Sequence, residues 1–222
     1  MEPYDNVIVY YAGHGYLDSK RNRGFWVPVD AKGFESTSFV RNSTIRDELT
    51  AIAEKAKHTL LISDSCFSGA LLRGGNRGFS RIDEPGRYYT KVLNKKSVQV
   101  IAAGGLEFVD DNYKNSGHSP FTYFLLNELK HNTSDLMSLS ELATRVTKIV
   151  ANNVDQTPEV GVLQGSVDEL GKFIFARRDI SGLYFPIVKT EKNRLAPLNY
   201  IQQQNASPEF VELDNYFPIP SL

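Results

Sequence analysis

The chain has a single cysteine, Cys66, with one tryptophan and two methionines among 222 residues. One cysteine excludes an intrachain disulfide and suits a reducing compartment. Long apolar runs are missing: nothing approaches the roughly 18 consecutive apolar residues of a membrane span. The first residues, Met1-Glu-Pro-Tyr-Asp5, are polar where a secretory leader would be apolar. The expectation is a cytoplasmic protein without a membrane partner. Neither sign of charge dominates: 25 basic and 26 acidic residues leave a net charge of −1, and there is no basic stripe. Nucleic acid and anionic lipid surfaces are therefore not expected partners. His58, His118 and His131 lack zinc-ligand spacing, so no metal site is expected from them. Gly74-Gly-Asn-Arg-Gly78 lacks the Lys-Ser/Thr of a phosphate loop. No Gly-x-Ser-x-Gly elbow exists, because Cys66 stands in the first position around Ser68.

What is present is apolar material for one core and an alternation of strands and helices. Asn6-Val-Ile-Val-Tyr-Tyr-Ala12, His58-Thr-Leu-Leu-Ile-Ser63 and Ser97-Val-Gln-Val-Ile-Ala-Ala103 are short, apolar and rich in β-branched residues, as buried strands are. Gly171-Lys-Phe-Ile-Phe-Ala176 reads as a fourth. Pro28 confines Gly24–Asp30 to an edge or a hairpin. Helices are predicted over 43–57, capped by Ser43 or Thr44, over 120–131 with Pro120 in the first turn, and over 138–153. Ser138 and Glu141 have capping-box spacing. The stretch 74–91, rich in Gly and Arg, reads as a loop. Strands alternating with helices give a mostly parallel sheet covered on both faces, an α/β fold. From about Arg178 to Leu222 the pattern fails; five prolines and Gln202-Gln203-Gln204 suggest an extended arm or tail. The expected organisation is a domain over 1–177 and an arm over 178–222.

Two of the predicted strands end in reactive residues beside glycine: the first in Gly13-His14-Gly15, the second in Asp64-Ser65-Cys66-Phe67-Ser68-Gly69. In a parallel sheet both ends lie on one edge, where open α/β folds place their sites. A thiol becomes a strong nucleophile when an imidazole takes its proton. The N–H groups of Gly15 and Cys66 are candidate oxyanion donors. A lone cysteine or a lone histidine is more often structural; the pair, in these two contexts, favours catalysis.

Tyr10-Tyr-Ala-Gly-His-Gly15 resembles the histidine motif of caspases, metacaspases and their bacterial relatives. Asp64-Ser-Cys-Phe-Ser-Gly69 resembles the metacaspase-type cysteine motif, with Phe67 where histidine is commoner. His14 precedes Cys66 by 52 residues, near the roughly 50 of caspases. Weaker agreement comes from Gly24–Ala31, Gly117–Leu126 and Gln156-Thr-Pro158. The resemblance covers about residues 5–177. It implies the three-layer α/β/α caspase-like fold and a cysteine endopeptidase that needs no cofactor for its chemistry. Such domains begin with two strand–helix units before the histidine strand. The expectation is therefore an N-terminally incomplete domain whose missing units come from a partner segment or chain.

In metacaspase relatives the aspartate two residues before the nucleophile selects Arg or Lys at the cleavage site, which assigns that role to Asp64. Its bland role is to accept backbone N–H bonds in the turn. Glu107, Asp110 and Asp111 form a second acidic cluster that would complete the pocket, bind an activating Ca²⁺ or stay solvated. Arg73, Arg77, Arg81, Arg87 and Lys91 mark a loop where an Arg/Lys-specific enzyme would cut itself, or a solvated basic loop. Two rival readings stay open. One is a catalytically silent or activator-gated scaffold that binds protein partners; the other is a different Cys–His acyl-transfer enzyme.

Overall fold

The computed structural model describes residues 6–31, 36–65, 71–72, 85–104 and 112–176, with the backbone alone at 85–87. Strand β1 (Asn6–Ala12) lies beside β5 (His58–Asp64), β5 beside β6 (Ser97–Ala102), and β6 beside β8 (Glu159–Val162). β1, β5 and β6 run parallel; β8 runs antiparallel to β6. The intervening elements are β2 (Gly15–Asp18), β3 (Arg23–Trp26), β4 (Val40–Arg41), α1 (Asn42–Lys55), α2 (Pro85–Leu93), α3 (Pro120–Lys130), β7 (Leu136–Ser138) and α4 (Leu139–Asn153), with β9 (Ile174–Ala176) last.

Alternation along β5 and β6 builds two cores. Leu60, Ile62 and Ile101 face α3 and α4, packing with Phe121, Phe124, Leu142, Val146 and Val150. Leu61, Val98 and Val100 face the other way, onto Leu49 and Ala53 of α1, with Trp26, Leu71 and Leu163. Strands buried on both faces read as unbroken apolar runs, which is why their sequences were legible. Helices on both faces of a mostly parallel sheet make the fold three-layer α/β/α, as expected.

Helix α4 starts as its sequence requires. Ser138 Oγ accepts from Glu141 N and Glu141 Oε2 accepts from Ser138 N, a complete capping box. Ser119 caps α3 through Thr122 N, with Pro120 in the first turn. Helix α1 corrects the expectation: it begins at Asn42, and the residue in the cap position, Arg41, makes no side-chain cap bond. Its other end is closed by Lys96 Nζ, which donates to the carbonyls of Ala53 and Glu54.

Three further corrections concern elements. The expected loop over 74–91 ends in helix α2 from Pro85 onward. Tyr89 and Val92 are buried, and Tyr89 Oη donates to Leu136 O and reaches Glu141 Oε2. Tertiary burial there outweighs the Pro-Gly signal. The fourth strand of the main sheet is β8, a short run with a glycine that reads weakly as a strand. β9 instead pairs antiparallel with β7, outside the main sheet. Where β8 stops short, Asp168 Oδ2 accepts from Val98 N at 2.7 Å, so the start of β6 is tied by a side chain. The expected arm over 178–222 lies outside the described residues.

His58 opens β5 at the end of the sheet away from the His14 turn. Leu93 O can only accept, so His58 Nε2–H donates to it at 3.2 Å and Nδ1 accepts from Ser97 Oγ at 2.8 Å. That tautomer is neutral. Burial pushes the imidazole down to about 4. An unfolded chain takes up this proton near pH 6.5, so stability is complete above pH 6.5 and drains as pH falls towards 4. Between pH 7 and pH 4.5 this single group is expected to cost about 2 kcal/mol. Urea denaturation at the two pH values checks it: His58→Gln should lose about 2 kcal/mol less than wild type across the window. Equal losses would exclude His58 as the source.

Candidate active site

The parallel ladder sets the geometry. Tyr10 pairs with Ile62, Tyr11 with Ser63 and Ala12 with Asp64. One rung further, Gly13 N donates to Asp64 O at 3.2 Å. His14 therefore stands two residues beyond the same rung that Cys66 follows by two residues in sequence.

The backbone of His14 is pinned. Its carbonyl accepts from Val27 N at 2.9 Å and from Tyr11 Oη at 3.1 Å. The Tyr11 ring stacks flat on Trp26, with centroids 3.9 Å apart and planes 8° apart. Burial pushes the Tyr11 phenol up, which keeps it a donor; its hydrogen bond to Val27 O works the other way. Tyr11 folds back across Gly13 so closely that a Cβ there would sit 2.7 Å from its hydroxyl. An alanine before the histidine would therefore have to push the Tyr11 ring aside, against its stack on Trp26. The His14 side chain is exposed.

His14 and Val27 form a hydrogen-bonded rung of the hairpin that continues into β2 and β3. Gly15 pairs with Trp26 on the next rung, which is of the alternate kind. Its N–H points away from β3. Beyond it, the hairpin turns on Asp18, whose Oδ1 accepts from the N–H groups of Lys20 and Arg21.

Asp64 ends β5 half-buried, and its Oδ2 accepts two short bonds, from Ser119 Oγ and Thr122 Oγ1, both at 2.6 Å. Tyr10 Oη lies 2.8 Å from Thr122 Oγ1. Burial is the main cause raising the Tyr10 phenol; the Thr122 bond opposes it and the Asp64 charge adds to it. Behind the turn, Ser63 Oγ and Ser65 Oγ are 3.1 Å apart, both buried, and Ala103 N donates to Ser63 O.

His14, Gly15 and Asp64 are thus brought to one edge of the sheet. Cys66, Arg73, Arg77, Arg81, Glu107, Asp110 and Asp111 lie outside the described residues. Arg87 falls within α2, and its side chain lies outside the described residues too. Sequence reasoning missed Tyr10, Tyr11, Trp26, Ser119 and Thr122 as site residues. The one available signal was Ser119-Pro120, a helix start whose cap hydroxyl has a lone pair and a proton to place.

A three-layer α/β/α sheet with a histidine turn at the carboxyl edge of its parallel strands is the architecture of caspase-like domains. The chain belongs to the caspase domain family: the family profile matches residues 1–164. That family is one of cysteine peptidases, hydrolases whose substrates are proteins. No curated protein matches the chain. Among the described residues, no helix is long and apolar enough to cross a membrane.

Proposed function

We propose that the chain is a cysteine endopeptidase that cuts after Arg or Lys, with Cys66 as nucleophile and His14 as its acid–base partner. The observation that carries this reading is the register that pairs Ala12 with Asp64. It ends the histidine strand and the strand that precedes Cys66 on one rung at the same edge. The Cys66 thiol gives its proton to His14, and the thiolate sulfur attacks the substrate carbonyl carbon. The N–H of Gly15, directed away from its hairpin partner, and the N–H of Cys66 receive the oxyanion. As the tetrahedral adduct collapses the C–N bond breaks, and His14 returns the proton to the leaving amine. Water, deprotonated by His14, then cleaves the thioester, which restores the thiol and frees the new carboxylate.

Asp64 supports the Arg/Lys preference. A carboxylate held at the site edge by short hydroxyl bonds suits a guanidinium or ammonium group. The same specificity would let the enzyme cut its own loop at Arg73, Arg77 or Arg81. Cleavage of fluorogenic peptides ending in Arg, Lys or Asp, with and without Ca²⁺, tests the reading. Arg and Lys peptides should be cut and Asp peptides not. Asp64→Asn should lower kcat/KM for the Arg peptide about a hundredfold, the value of one desolvated charge pair. A preference for Asp peptides would keep the nucleophile and remove Asp64 as selector. Binding of protein partners without any turnover, in the folded chain and in both conditions, would favour the scaffold.

A further inference from the structure

Two hydroxyls converge on one carboxylate oxygen at the site edge and a third reaches one of them, and their proton inventory has a single solution. Asp64 Oδ2 accepts from both Ser119 Oγ and Thr122 Oγ1 at 2.6 Å. Each hydroxyl has one proton, so both are committed to Asp64. Ser119 Oγ is then left to accept, and it accepts Thr122 N at 3.1 Å. Thr122 Oγ1 has no proton left for Tyr10, so Tyr10 Oη must donate across the 2.8 Å between them. The relay therefore runs Tyr10 to Thr122 to Asp64, with Ser119 as a second donor.

We infer that Ser119 and Thr122 are positioning residues that lock the Asp64 carboxylate in one orientation for a basic substrate side chain, with Tyr10 fixing Thr122 as a donor. The inference rests on the selector role proposed for Asp64 and extends it. The arrangement couples three distant parts of the chain. Tyr10 comes from the histidine strand, Asp64 from the cysteine strand, and Ser119 and Thr122 from the first turn of α3. A helix start that only needed capping would be complete with Ser119 accepting Thr122 N. Here both side-chain protons go to Asp64 instead. Thr122 is buried, so water cannot replace its bond, and a carboxylate held by two fixed donors cannot turn about its terminal torsion. Binding then spends no free energy on ordering the selector.

The experiment compares kcat/KM for paired peptides ending in Arg or in citrulline, its neutral isostere, with thermal melts of each variant alongside. Wild type should favour Arg strongly and Asp64→Asn should not; this pair of measurements tests the selector itself. Given that, Thr122→Val should lose about tenfold of the Arg-over-citrulline ratio, the value of one hydrogen bond to a charged group. The loss should appear in KM. Thr122→Ser, which keeps the hydroxyl, should restore the ratio to within about twofold of wild type. Tyr10→Phe, at a half-exposed position that tolerates the change, should lower it severalfold. In the Asp64→Asn background Thr122→Val should change nothing further. If wild type discriminates and Asp64→Asn does not, yet Thr122→Val and Tyr10→Phe keep the wild-type ratio, the positioning role is wrong and the selector stands. A wild type that fails to discriminate removes the selector, and the positioning role with it.

Discussion

Cys66→Ala is expected to reduce peptide cleavage by about 10⁴-fold or more, and His14→Ala nearly as far, with both proteins folded like wild type. The two act as a unit, so the double variant should be no worse than Cys66→Ala alone. What separates their roles is the response to pH. With an activated ester, whose leaving group needs no proton, His14→Ala should recover part of its rate as the pH passes the ordinary thiol range near 8.5. There the thiol ionises without help. Cys66→Ala has no thiol and should stay silent at every pH. A His14→Ala variant with wild-type turnover would place the base elsewhere. The exposure of His14 and the pinned carbonyl behind it make such a replacement structurally mild, so lost activity would report chemistry rather than unfolding.

The two strands that lead to His14 and Cys66 were legible in the sequence because strand ends and glycines announce themselves locally. Asn6–Ala12 and His58–Asp64 are apolar runs that stop at Gly13-His14-Gly15 and at Ser65-Cys66, and the observed strands match them almost to the residue. The capping box of Ser138 and Glu141 was legible for the same reason: its partners are three residues apart. What stayed hidden depends on contacts that no local pattern encodes. Thr122 meets Asp64 across 58 positions and Tyr10 across 112. Tyr11 reads as one more aromatic in a strand, although its hydroxyl serves the carbonyl of His14 and its ring carries Trp26. Helix α2 was obscured by Pro85-Gly86, and only the burial of Tyr89 and Val92 shows why the chain is helical there. β8 was hidden by its length of four residues and by Gly161; its place beside β6 is set by the ladder from Gln99–Val162 to Ala102–Glu159.

Gly104→Ala and Gly117→Ala should differ sharply in cost, although the two glycines share the same backbone angle, φ +72°. That angle costs an alanine about 1–2 kcal/mol by itself. Among the described residues nothing lies within 4 Å of a Cβ on Gly117, so its variant should lose about that much and no more. A Cβ on Gly104 would instead run into the backbone carbonyl of Thr157, which cannot swing away as a side-chain tip can. Gln156 ties the same two segments together, donating from its amide to Gly104 O at 3.3 Å. Relief therefore requires moving the strand exit of β6 or the entry to β8, for a total near 4 kcal/mol. Urea denaturation of both variants measures the difference, and a Gly104→Ala as stable as Gly117→Ala would mean that this contact yields freely. The consequence for activity follows from position. Gly104 leaves β6 at the same edge as His14 and Asp64, and Ala103 N is bonded to Ser63 O beside the Asp64 turn. A variant that stays folded by shifting this exit should thus raise KM for basic substrates more than it lowers kcat, because the rung that sets the height of Asp64 moves while the hairpin behind His14 does not.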